Sequence, residues 1–273
     1  MPFPAEATIE ARLDDSPAYA GSAHDDAAAR RMGYRAALIP GAFVYGHATR
    51  LAVETWGMDW IGRGSIATRF RRPVYDGDRL TLRASAPVRS EDGVRAELRI
   101  ANADGEEVVT GWIGLPDERP AAPDIADLPM LRRPDPPPAV AAGAMRVGAR
   151  IGTQEAVLGE AEVQASLAAF AETHPIYACE GVVHSGCLVR LTMRDALRSF
   201  AFPMPVVFVA VEAQHFAAAR PGQRMSTSGT VTAAYARRGR HYFDSEEYLV
   251  ADGRQVLARF RRVNLYAVDN VGA

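Results

Sequence analysis

Cysteine is nearly absent from this chain: 273 residues carry two, Cys179 and Cys187. So sparse a pair excludes a disulfide framework, and no Cys/His spacing of the zinc kind accompanies it. Long apolar runs are also lacking, and none approaches membrane-spanning length. The N-terminal MPFPAEATIE has no apolar core segment and is not read as a signal peptide. Neither sign of charge is in excess: 31 Lys and Arg stand against 33 Asp and Glu, a net charge of −2. That balance gives no reason to expect nucleic acid or a membrane surface as partner. The basic run Arg69-Phe70-Arg71-Arg72 alternates along a strand and reads as a solvated face. Missing, too, are the Gly-x-Ser-x-Gly elbow, the P-loop, the dinucleotide-binding Gly-x-Gly-x-x-Gly and His-Glu-x-x-His. Serine-hydrolase, nucleotide and zinc-protease chemistry are therefore disfavoured, and no cofactor or metal is expected. A reducing cytoplasm is the expected compartment.

What is present suits a soluble globular protein: 48% of residues are hydrophobic and 23% charged. Residues 116–145 hold eight of the eighteen prolines. Proline removes backbone donors and fixes φ, so this stretch reads as an extended linker. It splits the chain into halves, 1–115 and 146–273. In the first half, residues 6–13 alternate like a strand, and residues 41–57 place apolar side chains at helical spacing with Gly57 as the stop. Strands follow at 64–74, 79–88, 93–102 and 106–115, separated by turns such as Asp76-Gly77 and Asp104-Gly105. The second half repeats the plan with a helix near 186–200 and strands at 206–219, 224–236, 241–251 and 254–266. Each helix is opened by a small residue pair, Pro40-Gly41 or Ser185-Gly186, and preceded by a Pro-aromatic element, Ser16-Pro17-Ala18-Tyr19 or His174-Pro175-Ile176-Tyr177.

One helix followed by four or five antiparallel strands can hide the helix only if the sheet curls around it. Two such units joined edge to edge also lose their exposed edges. The expected class is α+β, with two central helices each wrapped by a curved antiparallel sheet.

This pattern resembles the hotdog fold, specifically the double-hotdog members of the MaoC-like (R)-specific enoyl-thioester hydratase/dehydratase family. Gly33-Tyr34 and Leu38-Ile39-Pro40-Gly41 match the family's approach to its central helix, and Glu180 to Gly186 looks like a shortened version. Arg69-Phe70, Pro73 and Asp76-Gly77-Asp78 resemble the strand and turn after it. The family's catalytic loop reads Asp-x-Asn-Pro-x-His. Here Asp14-x-Ser16-Pro17-x-Tyr19 and Glu172-x-His174-Pro175-x-Tyr177 both carry Tyr in place of that His. The resemblance implies reversible hydration of a 2-enoyl thioester on CoA or acyl carrier protein, without a cofactor. Family habit adds the expectation of a homodimer.

Such hydration needs an activated water and donors for the developing enolate oxygen. A helix opened by Gly41 or Gly186 offers backbone N–H groups for that oxygen. In the second half the candidates are Glu172, His174, Tyr177 and His184. In the first half they are Asp14, Tyr19 and His24, with Asp25 and Asp26 also suited to capping a helix. His47 lies inside a helix, His215 and His241 within strands, and the latter two read as structural. Cys179 beside His184 is a weaker nucleophile candidate. Two other functions stay open: a tailoring thioesterase, isomerase or cyclase, and a non-catalytic acyl-binding protein.

Overall fold

The computed structural model describes Phe3, residues 5–14 and residues 16–269. The first half contains β1 (Ala5–Glu10), α1 (Asp26–Arg31), α2 (Gly41–Arg63), β2 (Ser65–Phe70), β3 (Arg79–Ala84), β4 (Val88–Ser90), β5 (Gly93–Ala101) and β6 (Glu107–Pro116). The proline-rich stretch then runs without strand or α-helix, with one 3-10 turn at Ile125–Asp127. Beyond it come β7 (Arg150–Ile151), β8 (Ala156–Val157), α3 (Glu160–Ala169), α4 (Ile176–Cys179), α5 (Ser185–Arg198), β9 (Val207–His215), β10 (Arg224–Arg237), β11 (Arg240–Ala251) and β12 (Gln255–Val268).

All twelve strands join one sheet in the order β1-β3-β5-β6-β2-β9-β12-β11-β10-β7, with β4 on β5 and β8 on β10. The halves meet at β2 and β9, antiparallel, from Ser65 opposite Gln214 to Arg69 opposite Ala210. In an isolated half both strands would be bare edges; pairing satisfies their backbone groups. α2 packs on β1, β2, β3, β6 and β9, and α5 on β10, β11 and β12. β1 and β9 lie five strand spacings apart along the sheet, roughly 24 Å if it were flat. A helix with its side chains is only roughly 10–12 Å across. Both strands touch α2, so the sheet must bend around it.

The strand periodicity does what the sequence expects of it. Leu80, Leu82 and Ala84 of β3, and Ala96, Leu98 and Ile100 of β5, are buried every second residue. α2 is enclosed nearly all round, with Phe43, Tyr45, Leu51 and Val53 buried. Three expectations are corrected. Gly57 does not stop α2: it takes φ 52 and ψ −130, kinking the helix, which continues to Arg63. Only glycine adopts that backbone without strain, and Trp60, fully buried, anchors the added turn. β2 ends at Phe70 rather than 74, three residues before Pro73, which cannot donate to a ladder. α3 was not expected, and α1 only as a helix that Asp25 or Asp26 could cap. α3 is Ala-rich and buries only Val163 and Ala169, too little apolar pattern to announce itself.

Under α5 the sheet carries a fully buried ion pair. Arg262 on β12 donates from Nε to Glu247 Oε2 and from Nη2 toward Oε1, both at 2.7 Å. Removing one partner strands the other in the core. Arg262→Met is expected to destabilise the fold by about 3–5 kcal/mol in urea denaturation, while adding Glu247→Leu recovers most of the loss. A single variant as stable as the parent would refute this reading of the pair.

Candidate active site

In the first half the chain leaving β1 places Asp14, then a 3-10 turn (Pro17–Tyr19), then His24 ahead of α1. Tyr19 donates its hydroxyl proton to Asp14 Oδ1 at 2.6 Å. The Tyr19 and His24 rings meet edge to face, centroids 5.2 Å apart. His24 Nδ1 lies 2.7 Å from the Leu38 carbonyl oxygen. A carbonyl only accepts, so Nδ1 carries the hydrogen and the neutral ring keeps a lone pair on Nε2. Burial lowers the His24 pKa, opposed by the Leu38 carbonyl and by Asp14, so the ring is neutral at pH 7. Burial, then Asp14, raises the pKa of Tyr19, which stays protonated. Asp14, Tyr19 and His24 all remain partly exposed. Asp25 caps α1 by accepting from Ala28 N–H at 2.8 Å, and Asp26 Oδ1 accepts from Ala37 N–H at 2.8 Å. The Asp26 bond and His24 itself bind the loop to the segment entering α2.

That segment ends at Pro40, which gives α2 no side-chain cap. Gly41 is partly exposed. The second half covers one side of it: a Cβ at Gly41 would stand 2.9 Å from Phe208 Cδ1. Arg190 of α5 lies over the Phe43 ring, 4.9 Å from its centroid. The first-half candidates are thus gathered, and the opposite half contributes Phe208 and Arg190 beside them.

The second half gathers its candidates differently. Glu172 Oε1 accepts the N–H groups of Thr173 (2.8 Å) and His174 (2.7 Å). His174 Nδ1 accepts from Ile176 N–H at 3.2 Å. These bonds form the turn into α4, so His174 is spent on its own backbone. His184 caps α5, its Nδ1 accepting from Gly186 N–H at 3.0 Å. Its Nε2 therefore carries the hydrogen, 3.3 Å from Thr49 Oγ1 and 3.9 Å from Glu172 Oε2. Tyr177 packs 5.0 Å from the His184 ring, and among the described residues neither its hydroxyl nor Glu172 Oε2 has a hydrogen-bond partner. Burial raises the pKa of both Glu172 and Tyr177.

Phe170 seals this cluster. Its ring stacks on His184 at 4.3 Å and 11°, and a Cβ at Gly46 or at Gly186 would overlap it. The expectation that Gly186 presents a backbone donor is corrected: His184 already takes its N–H and Phe170 covers it. Glu172, Tyr177 and His184 come together, but in the core. Cys187 is buried 3.0 Å from Ser166 Oγ with its thiol pKa raised by burial. Cys179 is exposed.

Sequence reasoning missed several members. Tyr45, Ser185 and His215 form a buried chain, Tyr45 Oη to Ser185 Oγ at 2.9 Å and Ser185 Oγ to His215 Nε2 at 2.7 Å, tying α2, α5 and β9 together. His47 Nδ1 donates to the Phe170 carbonyl at 2.8 Å, holding the plug on α2. Gly46, mid-helix, was the available signal: glycine there suggests close approach of another element. Nothing in the sequence marked Phe170 as that element. His241 stands apart, 2.6 Å from Asp269.

No family model matches the sequence, and no curated protein matches it. Solved structures do match in shape. A protein named as a MaoC domain dehydratase from Chloroflexus aurantiacus superposes with a TM-score of 0.64 at 16% identity, covering 97% of this chain and 95% of its own. A double-hotdog protein from Mycobacterium tuberculosis gives 0.61 at 18%, covering 96% of each chain. A MaoC-like dehydratase gives 0.56 at 13%, covering 96% of this chain and 98% of its own. The chain has the double hotdog fold, as the resemblance in its sequence implies, and shares it with MaoC-like dehydratases.

Burial lowers the pKa of His184 to about 3 and those of His47 and His215 to about 4. The native state keeps all three neutral, whereas an unfolded histidine titrates near 6.5. The unfolded chain therefore binds more protons below that value. Stability is whole above about pH 6.5 and falls as pH drops toward about 4. Urea midpoints measured from about pH 7.5 down to about pH 5 should fall steadily, with unfolding taking up on the order of three protons. A midpoint constant over that range would contradict the burial.

Proposed function

We propose that the protein reversibly hydrates 2-enoyl thioesters, carried on CoA or acyl carrier protein, at the site of the first half. The observation that carries this reading is the tautomer of His24: Nδ1–H held by the Leu38 carbonyl, Nε2 unprotonated and the ring neutral. A general base needs that state at neutral pH.

In the hydration direction His24 Nε2 takes a proton from water as the water oxygen bonds to the β-carbon. The π electrons move toward the thioester oxygen, giving an enolate. The uncapped first turn of α2 at Gly41 supplies N–H donors for it, a contribution on the order of 3 kcal/mol to the transition state. The same proton then returns from His24 to the α-carbon. Asp14 holds Tyr19, and Tyr19 sets the His24 ring edge-on. Tyr at the family's His position is thus a positioning residue, and the base comes from His24, five residues on. Nothing in this sequence of steps requires a cofactor. Shape similarity to MaoC-like dehydratases supports the reading at the level of fold.

The test is the loss of enoyl absorbance when crotonyl-CoA is mixed with the purified protein. His24→Gln should lower kcat/KM by about 10²–10⁴-fold, whereas Glu172→Gln should change it by less than about threefold once stability is matched. Parent-like activity in His24→Gln, or a collapse confined to Glu172→Gln, would move the site to the second half.

A further inference from the structure

We infer that Arg190 is a substrate-recognition residue that receives an oxyanion of the substrate beside the first-half site. The chain contains no lysine, so arginines carry every fixed side-chain cation. Several of those in or near the core are engaged. Arg262 is clamped by Glu247. Arg50 donates from Nε to Glu54 Oε1 at 2.8 Å and from Nη1 to the Ala171 carbonyl at 3.0 Å. Arg119 donates to the Phe216 carbonyl at 2.9 Å.

Arg190 differs. It is partly exposed on α5, and its guanidinium lies over the face of Phe43 at 4.9 Å. A ring face attracts the charge but uses none of the in-plane N–H groups. The Arg190 nitrogens are not among the buried unpartnered atoms, so the donor fork stays open to an acceptor arriving from solvent. The fork matches carboxylate and phosphate geometry, which a point charge does not. Its position is specific as well. Phe43 stands two residues beyond Gly41 in α2, and the Arg190 charge is close enough to Tyr19 to favour ionisation of that hydroxyl. Asp14 is engaged by Tyr19 at 2.6 Å.

The oxyanion has two sources, a carboxylate on the acyl group or a phosphate of the carrier. The titrations below distinguish the two. The inference uses the proposed hydratase reading for the location of the thioester, but its test reads binding and not turnover.

Calorimetric titrations of succinyl-N-acetylcysteamine, butyryl-N-acetylcysteamine and coenzyme A would compare the parent with Arg190→Met, which keeps an apolar stem on Phe43, and with Arg190→Lys. An acyl carboxylate predicts that Arg190→Met weakens the succinyl thioester by about tenfold and leaves the butyryl thioester and coenzyme A within about twofold, a loss typical of a charge-assisted hydrogen bond. Arg190→Lys should recover only part of it. Selective weakening of coenzyme A would support the oxyanion role and assign it to the carrier phosphate. The inference is overturned if Arg190→Met, with an unchanged melting temperature, weakens neither, or if the parent binds neither. A parent that binds succinyl thioester yet hydrates no enoyl thioester would leave Arg190 standing and remove the hydratase reading instead.

Discussion

One aromatic ring sets the relation between the two halves. Phe170 lies between Gly46 of α2 and Gly186 of α5, where a Cβ on either helix would collide with it. Its faces and edges are taken by His184 and Phe43, and its carbonyl is held by His47. The next residue, Ala171, sits at φ 50, a conformation that costs a non-glycine residue roughly 1–2 kcal/mol. That cost is carried by the packing of the ring and by Arg50, which donates to the Ala171 carbonyl. The central helices can approach only because both lack a side chain where the ring enters.

The same contact makes the halves unequal. A duplicated fold offers two helix openings with a polar loop beside each. In the second, His184 takes the Gly186 N–H and the ring closes the approach, so Glu172 and Tyr177 are buried with their charged forms disfavoured. In the first, Phe208 crowds Gly41 from one side, yet Gly41 stays partly exposed. Asp14, Tyr19 and His24 stay in reach of solvent, and the opposite half supplies Arg190 and Phe208 at the border. Next to the pairing of β2 with β9, Phe208 of β9 packs on Phe70 of β2, with ring centroids 5.0 Å apart. The proposed site thus draws on both halves.

Much of this architecture was legible in the sequence. Period-two burial in β3 and β5, the Asp-Gly turns and the proline-rich divider declared a helix-then-meander plan twice over. Edge-to-edge joining followed from the cost of bare strand edges. What was not legible is instructive. α1 announced itself only through Asp25 and Asp26, which read equally as acid-base groups and as caps. α3 buries too few residues to show a period. Glu172-Thr173-His174-Pro175 carries the right residue types for catalysis, yet the carboxylate and the imidazole turn to the backbone N–H groups two residues on, the bonds such side chains make in tight turns. The tautomer of His24 depends on a carbonyl fourteen residues away, and the occlusion of the second copy depends on a phenylalanine whose neighbours come from two other helices. Those facts are tertiary and have no local signature.

Access is the central claim: one histidine cluster is open and the other closed. Carbethoxylation of the native protein with diethylpyrocarbonate, followed by peptide mass spectrometry, measures it directly. His24, neutral and with a lone pair on Nε2, should be modified quickly and be shielded by added crotonyl-CoA. His47, His184 and His215, buried on all sides, should react only after the protein is unfolded. Modification of His184 as fast as His24 in the native protein would contradict the account.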